Sequence, residues 1–229
     1  MLRANLRPAV TNFPGVIEYM DSFEGFILAG GASSRMGTDK SRLVLEGQTF
    51  VERIKNALSV LTPSVRIVGG RENYFESSLA AVPDMFPDWG ALGGVHAALA
   101  ACGTEWAAVV ACDLPFVSGE LFLRLADLRE ASEAVAPVQQ DGWPQPLCTL
   151  YRVDPCLTIA EKLIRSGERK PITLLQSVRT RWALFAELED AEGATLFFAT
   201  MNTPDDYLRA QQKGASLRPE GVDGLELEL

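Results

Sequence analysis

The chain has 229 residues, 47% hydrophobic and 8% aromatic, which suits one large domain with a sizeable core. Its 30 acidic residues outweigh 21 basic ones, for a net charge of −9. That balance excludes a global attraction to nucleic acid or to an anionic membrane, so an anionic ligand must be drawn by a local cationic patch.

Residues 1–22 carry Arg3 and Arg7 but no apolar core of a signal peptide, and they read as an extension outside the domain. No stretch approaches the roughly 20 apolar residues of a membrane span. The cysteines, Cys102, Cys112, Cys148 and Cys156, show no Cys-x-x-Cys spacing, and His96 is the only histidine. A structural zinc site is therefore not expected, and the cysteines read as reduced thiols of a cytoplasmic protein. A single domain is expected over 23–213, followed by an acidic tail over 214–229.

Phe26 to Ala29 is a short apolar run of the kind that makes a buried strand. It breaks into Gly30-Gly31-Ala32-Ser33-Ser34, then Arg35, Gly37, Asp39 and Lys40. Small residues after a strand expose backbone N–H groups to a ligand, and glycine lets it come close. Arg35 and Lys40 add full positive charges, so the stretch reads as an anion site suited to a polyphosphate. It is not a P-loop, because Gly37 is followed by Thr38-Asp39-Lys40 rather than directly by Lys-Ser/Thr. Nor does Gly30-Gly31-Ala32 supply the Gly-x-Gly-x-x-Gly of a dinucleotide fold.

Thr49 is placed to cap a helix running to about Leu61, with Val51, Ile54, Leu58 and Leu61 on one face. Strands are expected at 65–68 and 80–82, with a short helix at 74–79 between them. The segment 83–94 reads as a loop crowded with prolines, glycines, Asp84 and Asp88. Gly93-Gly94 is expected to open a helix whose N-terminus offers a second place for an anion. Strand and helix alternate, so the sheet should be largely parallel.

Trp106 to Cys112 is the clearest buried strand, and it ends at once in Asp113-Leu114-Pro115. A carboxylate at the carboxyl end of a central parallel strand faces the ligand crevice. Asp113 is accordingly the candidate ligand for a divalent cation such as Mg²⁺, which prefers hard oxygen donors. Ser118 should cap a helix over 119–130. Further strands are expected at 134–138, 147–151, 180–185 and 195–198, and helices at 155–166, 171–177 and 203–212. Trp143, in a polar turn, is either a stacking platform or packing at a hairpin edge. Arg165, Arg169 and Lys170 form a second basic cluster, either a solvated turn or a phosphate contact.

The run Leu28-Ala29-Gly30-Gly31-x-Ser33-x-Arg35-Met36-Gly37-x-Asp39-Lys40 resembles the signature loop of molybdenum cofactor guanylyltransferases, members of the nucleotidyltransferase superfamily. Cys112-Asp113-Leu114-Pro115-Phe116 resembles that family's metal-binding segment. The resemblance extends from about residue 25 to 211. It implies a three-layer α/β/α Rossmann-like nucleotidyltransferase fold with a mostly parallel sheet. It also implies transfer of GMP from GTP to molybdopterin carrying molybdenum, assisted by Mg²⁺ on Asp113. Backbone groups of Leu28, Ala29, Gly30 and Gly31 would line the nucleotide. Arg35 and Lys40 would neutralise the triphosphate and the leaving pyrophosphate. Asp84 matches a carboxylate that contacts the nucleoside, and Asn202 an Asn-Thr-Pro-like segment on the pterin side. The expectation is a monomer that meets proteins delivering or accepting the cofactor only transiently. Two departures concern base specificity. Val68-Gly69-Gly70-Arg71 stands where the family often has an asparagine, and Gly90-Ala91-Leu92-Gly93-Gly94 lacks the proline of Gly-Pro-Leu-Ala-Gly. A cytidylyltransferase and a non-catalytic nucleotide-binding module remain the alternatives.

Overall fold

The sheet grows outward from β1 (Phe23–Leu28), a strand covered on both faces. Its side chains alternate, as the period of a strand requires. Phe23 and Ile27 enter one core, and Phe26 and Leu28 the other. The computed structural model describes residues 21–29, 43–69, 79–86, 89–191, 193–201 and 206–207. The signature-loop residues 30–42, the helix expected at 74–79 apart from Leu79, and nearly all of both termini lie outside these. So does the helix expected at 203–212, apart from Asp206 and Tyr207.

Among the described residues, β2 (Val44–Leu45) and β3 (Gln48–Thr49) form a small antiparallel hairpin. The main sheet adds β4 (Val65–Val68), β5 (Ala80–Val82), β6 (Trp106–Ala111), β7 (Ala134–Pro137), β8 (Cys148–Arg152) and β9 (Thr180–Ala183). Its order is β5-β4-β1-β6-β8-β7-β9. All pairings are parallel except those of β8, which runs against both β6 and β7. The expected α/β fold with a mostly parallel sheet is therefore observed.

Helices cover both faces. The helices α1 (Phe50–Leu58) and α3 (Gly119–Asp127) lie on the Phe23–Ile27 side, where Val51, Ile54, Leu58, Leu121, Phe122 and Leu125 are buried. On the other side lie α2 (Gly90–Ala101), α4 (Val153–Arg165) and α5 (Pro171–Ser177). Thr49 caps α1 as expected and completes a capping box: its hydroxyl accepts from the Glu52 N–H, and the Glu52 carboxylate accepts from the Thr49 N–H at 2.8 Å. Ser118 caps α3, accepting from the Leu121 N–H at 3.2 Å. Gly25 lets α1 lie close to β1, since a Cβ there would stand 3.1 Å from both Leu58 and Val65 side-chain carbons.

Several expected ends shift by a few residues: the helix after Thr49 ends at Leu58 rather than Leu61, that after Ser118 at Asp127 rather than residue 130, and the strand from Thr180 at Ala183 rather than Phe185. Two further changes are larger. The helix after the 83–89 loop begins at Gly90, not at Gly93, and residues 92–99 are buried all round it. Sequence periodicity sees one face of a helix, whereas α2 is wedged between the sheet and two other helices. The strand expected at 195–198 is instead a 3₁₀ turn, Ala194–Leu196, entered through Gly193 at φ 79° and closed by the Leu196 N–H on the Gly193 carbonyl at 2.8 Å. A short apolar run does not by itself distinguish the two conformations.

Candidate active site

At the carboxyl edge of the sheet, Leu28 of β1 pairs with Val68 of β4 on one side and with Ala111 of β6 on the other. The Ala29 N–H continues the ladder to the Val68 carbonyl at 2.9 Å, and the Cys112 N–H to the Leu28 carbonyl at 3.0 Å. Ala29 and Asp113 therefore leave the sheet side by side. The strand order reverses between β1 and β6, since β4 and β5 lie to one side of β1 and β6 to the other. Ligands of open α/β sheets bind in the crevice outside such a reversal. Leu28 and Ala29 thus stand where the sequence reading put them. Gly30, Gly31, Arg35 and Lys40 follow Ala29 directly and lie outside the described residues.

Asp113 is half-buried and sits in a turn fixed from three directions. The Leu114 N–H donates to the Ala111 carbonyl at 3.2 Å, Pro115 fixes its own φ and restricts Leu114 before it, and the Met201 N–H donates to the Asp113 carbonyl at 3.1 Å. The last contact has no counterpart in the sequence pattern. Asn202 is itself outside the described residues, but its covalent neighbour is pinned to the backbone of Asp113.

Asp84 reaches the same edge through β5. Val82 pairs with Val68, and the Gly69 N–H donates to the Val82 carbonyl at 3.3 Å. The Asp84 carboxylate accepts from the Phe86 N–H at 2.9 Å, which turns the loop over the start of α2. That approach needs glycine: a Cβ on Gly93 would stand 2.6 Å from the Phe86 carbonyl oxygen and 3.4 Å from the Asp84 carboxylate. Leu28 packs over Gly94, where a Cβ would lie at 3.5 Å. The first turn of α2 has neither an acidic residue nor a side-chain cap. The positive end of the helix is thus not neutralised from within, as an anion site requires.

The second basic cluster comes to this edge as well. Because β8 runs antiparallel, α4 starts at the opposite edge and ends here, and the Arg169 guanidinium lies 5.1 Å from the Trp89 ring centroid. Glu168 accepts from the N–H groups of Arg169 and Lys170 at 2.7 and 2.9 Å, which holds the turn and lowers the Glu168 carboxyl below its ordinary range. Arg165 pairs along α4 with Glu161. Trp143 is 70% exposed, so of its two readings packing is not the one observed.

His96 is buried on α2, edge-on to the Phe86 ring at 4.9 Å, with Nε2 3.9 Å from the Glu161 carboxylate. As the sole histidine it was visible in the sequence, but nothing there tied it to the Asp84 loop. Burial lowers its pKa, against the opposing pull of Glu161 and Asp84. Burial thus favours the neutral ring in the native state, while the unfolded chain takes up a proton below about pH 6.5. Its contribution is intact above that value and is lost as the pH falls towards the lowered native pKa. His96→Phe should flatten the loss of stability between pH 7 and 5, followed as urea midpoints. An unchanged slope would assign that loss to other groups.

Cys148 and Cys156 are buried in the two cores. None of the four cysteines is in a disulfide; burial pushes Cys148 far up and Cys156 up to about 12. Among the described residues no group of three His, Cys, Asp or Glu side chains converges into a metal cage. No described helix is long and apolar enough to cross a membrane.

Residues 25–187 match the model of the MobA-like NTP transferase domain. A molybdenum cofactor guanylyltransferase of Vibrio atlanticus is 35% identical over 187 residues, covering 79% of this chain and 91% of its own. That of Vibrio cholerae is 32% identical over 185 residues, covering 79% and 87%. The crystal structure of molybdopterin-guanine dinucleotide biosynthesis protein A from Archaeoglobus fulgidus superposes with a TM-score of 0.72 at 25% identity, covering 85% of this chain and all of that one. The 2-C-methyl-D-erythritol 4-phosphate cytidylyltransferase of Thermus thermophilus shares the fold, with a TM-score of 0.62 at 18% identity. With the edge geometry and these likenesses together, the chain belongs to the MobA-like NTP transferase family and is a nucleotidyltransferase.

Proposed function

We propose that the protein transfers GMP from GTP to the phosphate of the molybdenum–molybdopterin cofactor, giving the guanine dinucleotide form and pyrophosphate. The observation that carries this reading is the side-by-side exit of Ala29 and Asp113 at the point where the strand order reverses. Guanylyl transfer is the activity named for the relatives of Vibrio.

An acceptor phosphate oxygen attacks the α-phosphorus of GTP, a new P–O bond forms, and the bond to the β-phosphate oxygen breaks. The acceptor is a phosphate monoester already ionised at neutral pH, so no general base is required. Catalysis then rests on positioning and on stabilising charge. Leu28, Ala29, Gly30 and Gly31 offer backbone groups to the nucleotide, Arg35 and Lys40 neutralise the triphosphate, and Asp84 contacts the nucleoside. Asn202 stands on the acceptor side in this reading.

Asp113 provides one hard carboxylate, which fits Mg²⁺ held mainly by nucleotide phosphates and water rather than by a protein cage. When bound there, Mg²⁺ supplies Lewis-acid polarisation and a template for the reacting oxygens. We place the reaction in the cytoplasm, in a monomer that meets proteins delivering or accepting the cofactor only transiently.

Incubation with Mg-GTP and molybdenum–molybdopterin, followed by mass detection of the dinucleotide, tests the whole reading. Base preference is tested separately by thermal shift: Mg-GTP should stabilise the protein more than Mg-CTP at equal concentration. Larger stabilisation by CTP would replace the guanylyl assignment with a cytidylyl one.

A further inference from the structure

We infer that Arg53 is a positioning residue for the Asp113 turn; this rests on the metal-ligand reading of Asp113 given above. Arg53 lies on α1, outside the crevice, and its side chain spans two parts of the chain that the reaction needs in register. Its Nε donates to the Pro115 carbonyl at 3.1 Å. Its Nη1 donates to the Glu46 carboxylate at 3.1 Å, and the guanidinium lies 6.0 Å from the Phe116 ring centroid.

Each partner has a reason to need this contact. Proline has no N–H of its own, and among the described residues the turn over 113–118 is closed by few backbone bonds: Leu114 to Ala111 at 3.2 Å, Val117 to Leu114 at a long 3.5 Å and Met201 to Asp113 at 3.1 Å. The Pro115 carbonyl is thus held by a side chain from another element. Glu46 sits at φ 52° in the two-residue turn of the β2–β3 hairpin, a left-handed conformation disfavoured for glutamate. The hairpin follows residues 30–42 directly. Beneath both lies a small separate core of Leu45, Phe50 and Met201, with Leu43 and Phe116 packed against it. Arg53, whose side chain is 21% exposed, closes the rim of that core. It ties the exit of the nucleotide loop to the carboxylate turn. A planar fork holds its donors in fixed directions toward two acceptors at once; an ammonium offers rotatable donors from a single point.

The test uses the full chain, with pyrophosphate release from GTP and molybdenum–molybdopterin as the rate measurement and hydrogen exchange of the free protein as the second readout. Arg53→Gln should speed exchange of the Leu114 and Val117 amides and lower kcat about tenfold, with KM for GTP changed less than about twofold. Glu46→Gln should leave kcat within about twofold, since the amide oxygen can still accept from Arg53 and the Pro115 contact remains. Unchanged exchange in Arg53→Gln would overturn the proposal. So would a rise in KM at constant kcat, or an equal loss of kcat in Glu46→Gln, which would assign the effect to the hairpin ion pair. Full activity in Asp113→Asn would instead reject the reading of Asp113 and the catalytic part of this proposal, while the exchange rates would still report whether Arg53 holds the turn.

Discussion

Asp113→Asn should lower the rate of pyrophosphate release about a thousandfold, or about 4 kcal/mol of transition-state stabilisation, and leave the fold intact. The substitution keeps size and shape, removes the charge and replaces one acceptor oxygen by an NH2 donor. The backbone of the turn is held by contacts of Ala111, Pro115 and Met201 that do not involve that charge. The melting temperature should therefore move by no more than about 2 °C. The same rigidity is why the loss in rate should be large. A carboxylate already oriented in a half-buried turn stabilises charge without reorganising, and an amide put in its place offers no negative charge to a cation. Unchanged turnover would remove Asp113 from the chemistry; a collapse of the melting temperature would recast it as a structural residue.

The second large effect is expected from Gly93→Ala. On propensity alone alanine should favour a helix over glycine by about 1 kcal/mol. Here the new methyl would stand 2.6 Å from the Phe86 carbonyl oxygen, a backbone atom that cannot swing aside as a side chain can. Either α2 or the Asp84 loop must move, at a net cost of about 2 kcal/mol, or a fall in melting temperature of about 4–8 °C. Because Phe86 N–H also fixes the Asp84 carboxylate, KM for GTP should rise about tenfold, with a smaller effect on kcat. Gly94→Ala is the control. Its Cβ would meet Leu28 at 3.5 Å, ordinary van der Waals contact, so stability should be retained or slightly raised. If both substitutions behave alike, the clash with Phe86 is not what limits position 93.

Much of this was legible in the sequence. Unbroken apolar runs at 26–29 and 106–111 marked two buried strands, and the residues ending them, Ala29 and Asp113, proved to be neighbours at the sheet edge. Thr49 and Ser118 carried cap signals that local chemistry alone decides. The contacts that stayed hidden all depend on distant parts of the chain. The start of α2 at Gly90 is set by a loop folding back on Gly93, the stack of Arg169 on Trp89 by the reversed course of β8, and the environment of His96 by α4. No periodicity records these. The 3₁₀ turn at Ala194–Leu196 was misread for the opposite reason: its local signal was too short to choose between conformations.

The bond from the Met201 N–H to the Asp113 carbonyl also orders events during synthesis. Strands β1 and β6 can pair once residue 111 has left the ribosome, yet the carboxylate turn gains its last backbone restraint only when residue 201 emerges. A nascent chain can therefore form its central sheet early and still lack a finished crevice. Long-range closures of this kind are slow steps in folding. Here that step falls at the candidate site, so the protein acquires its structure before that site is complete.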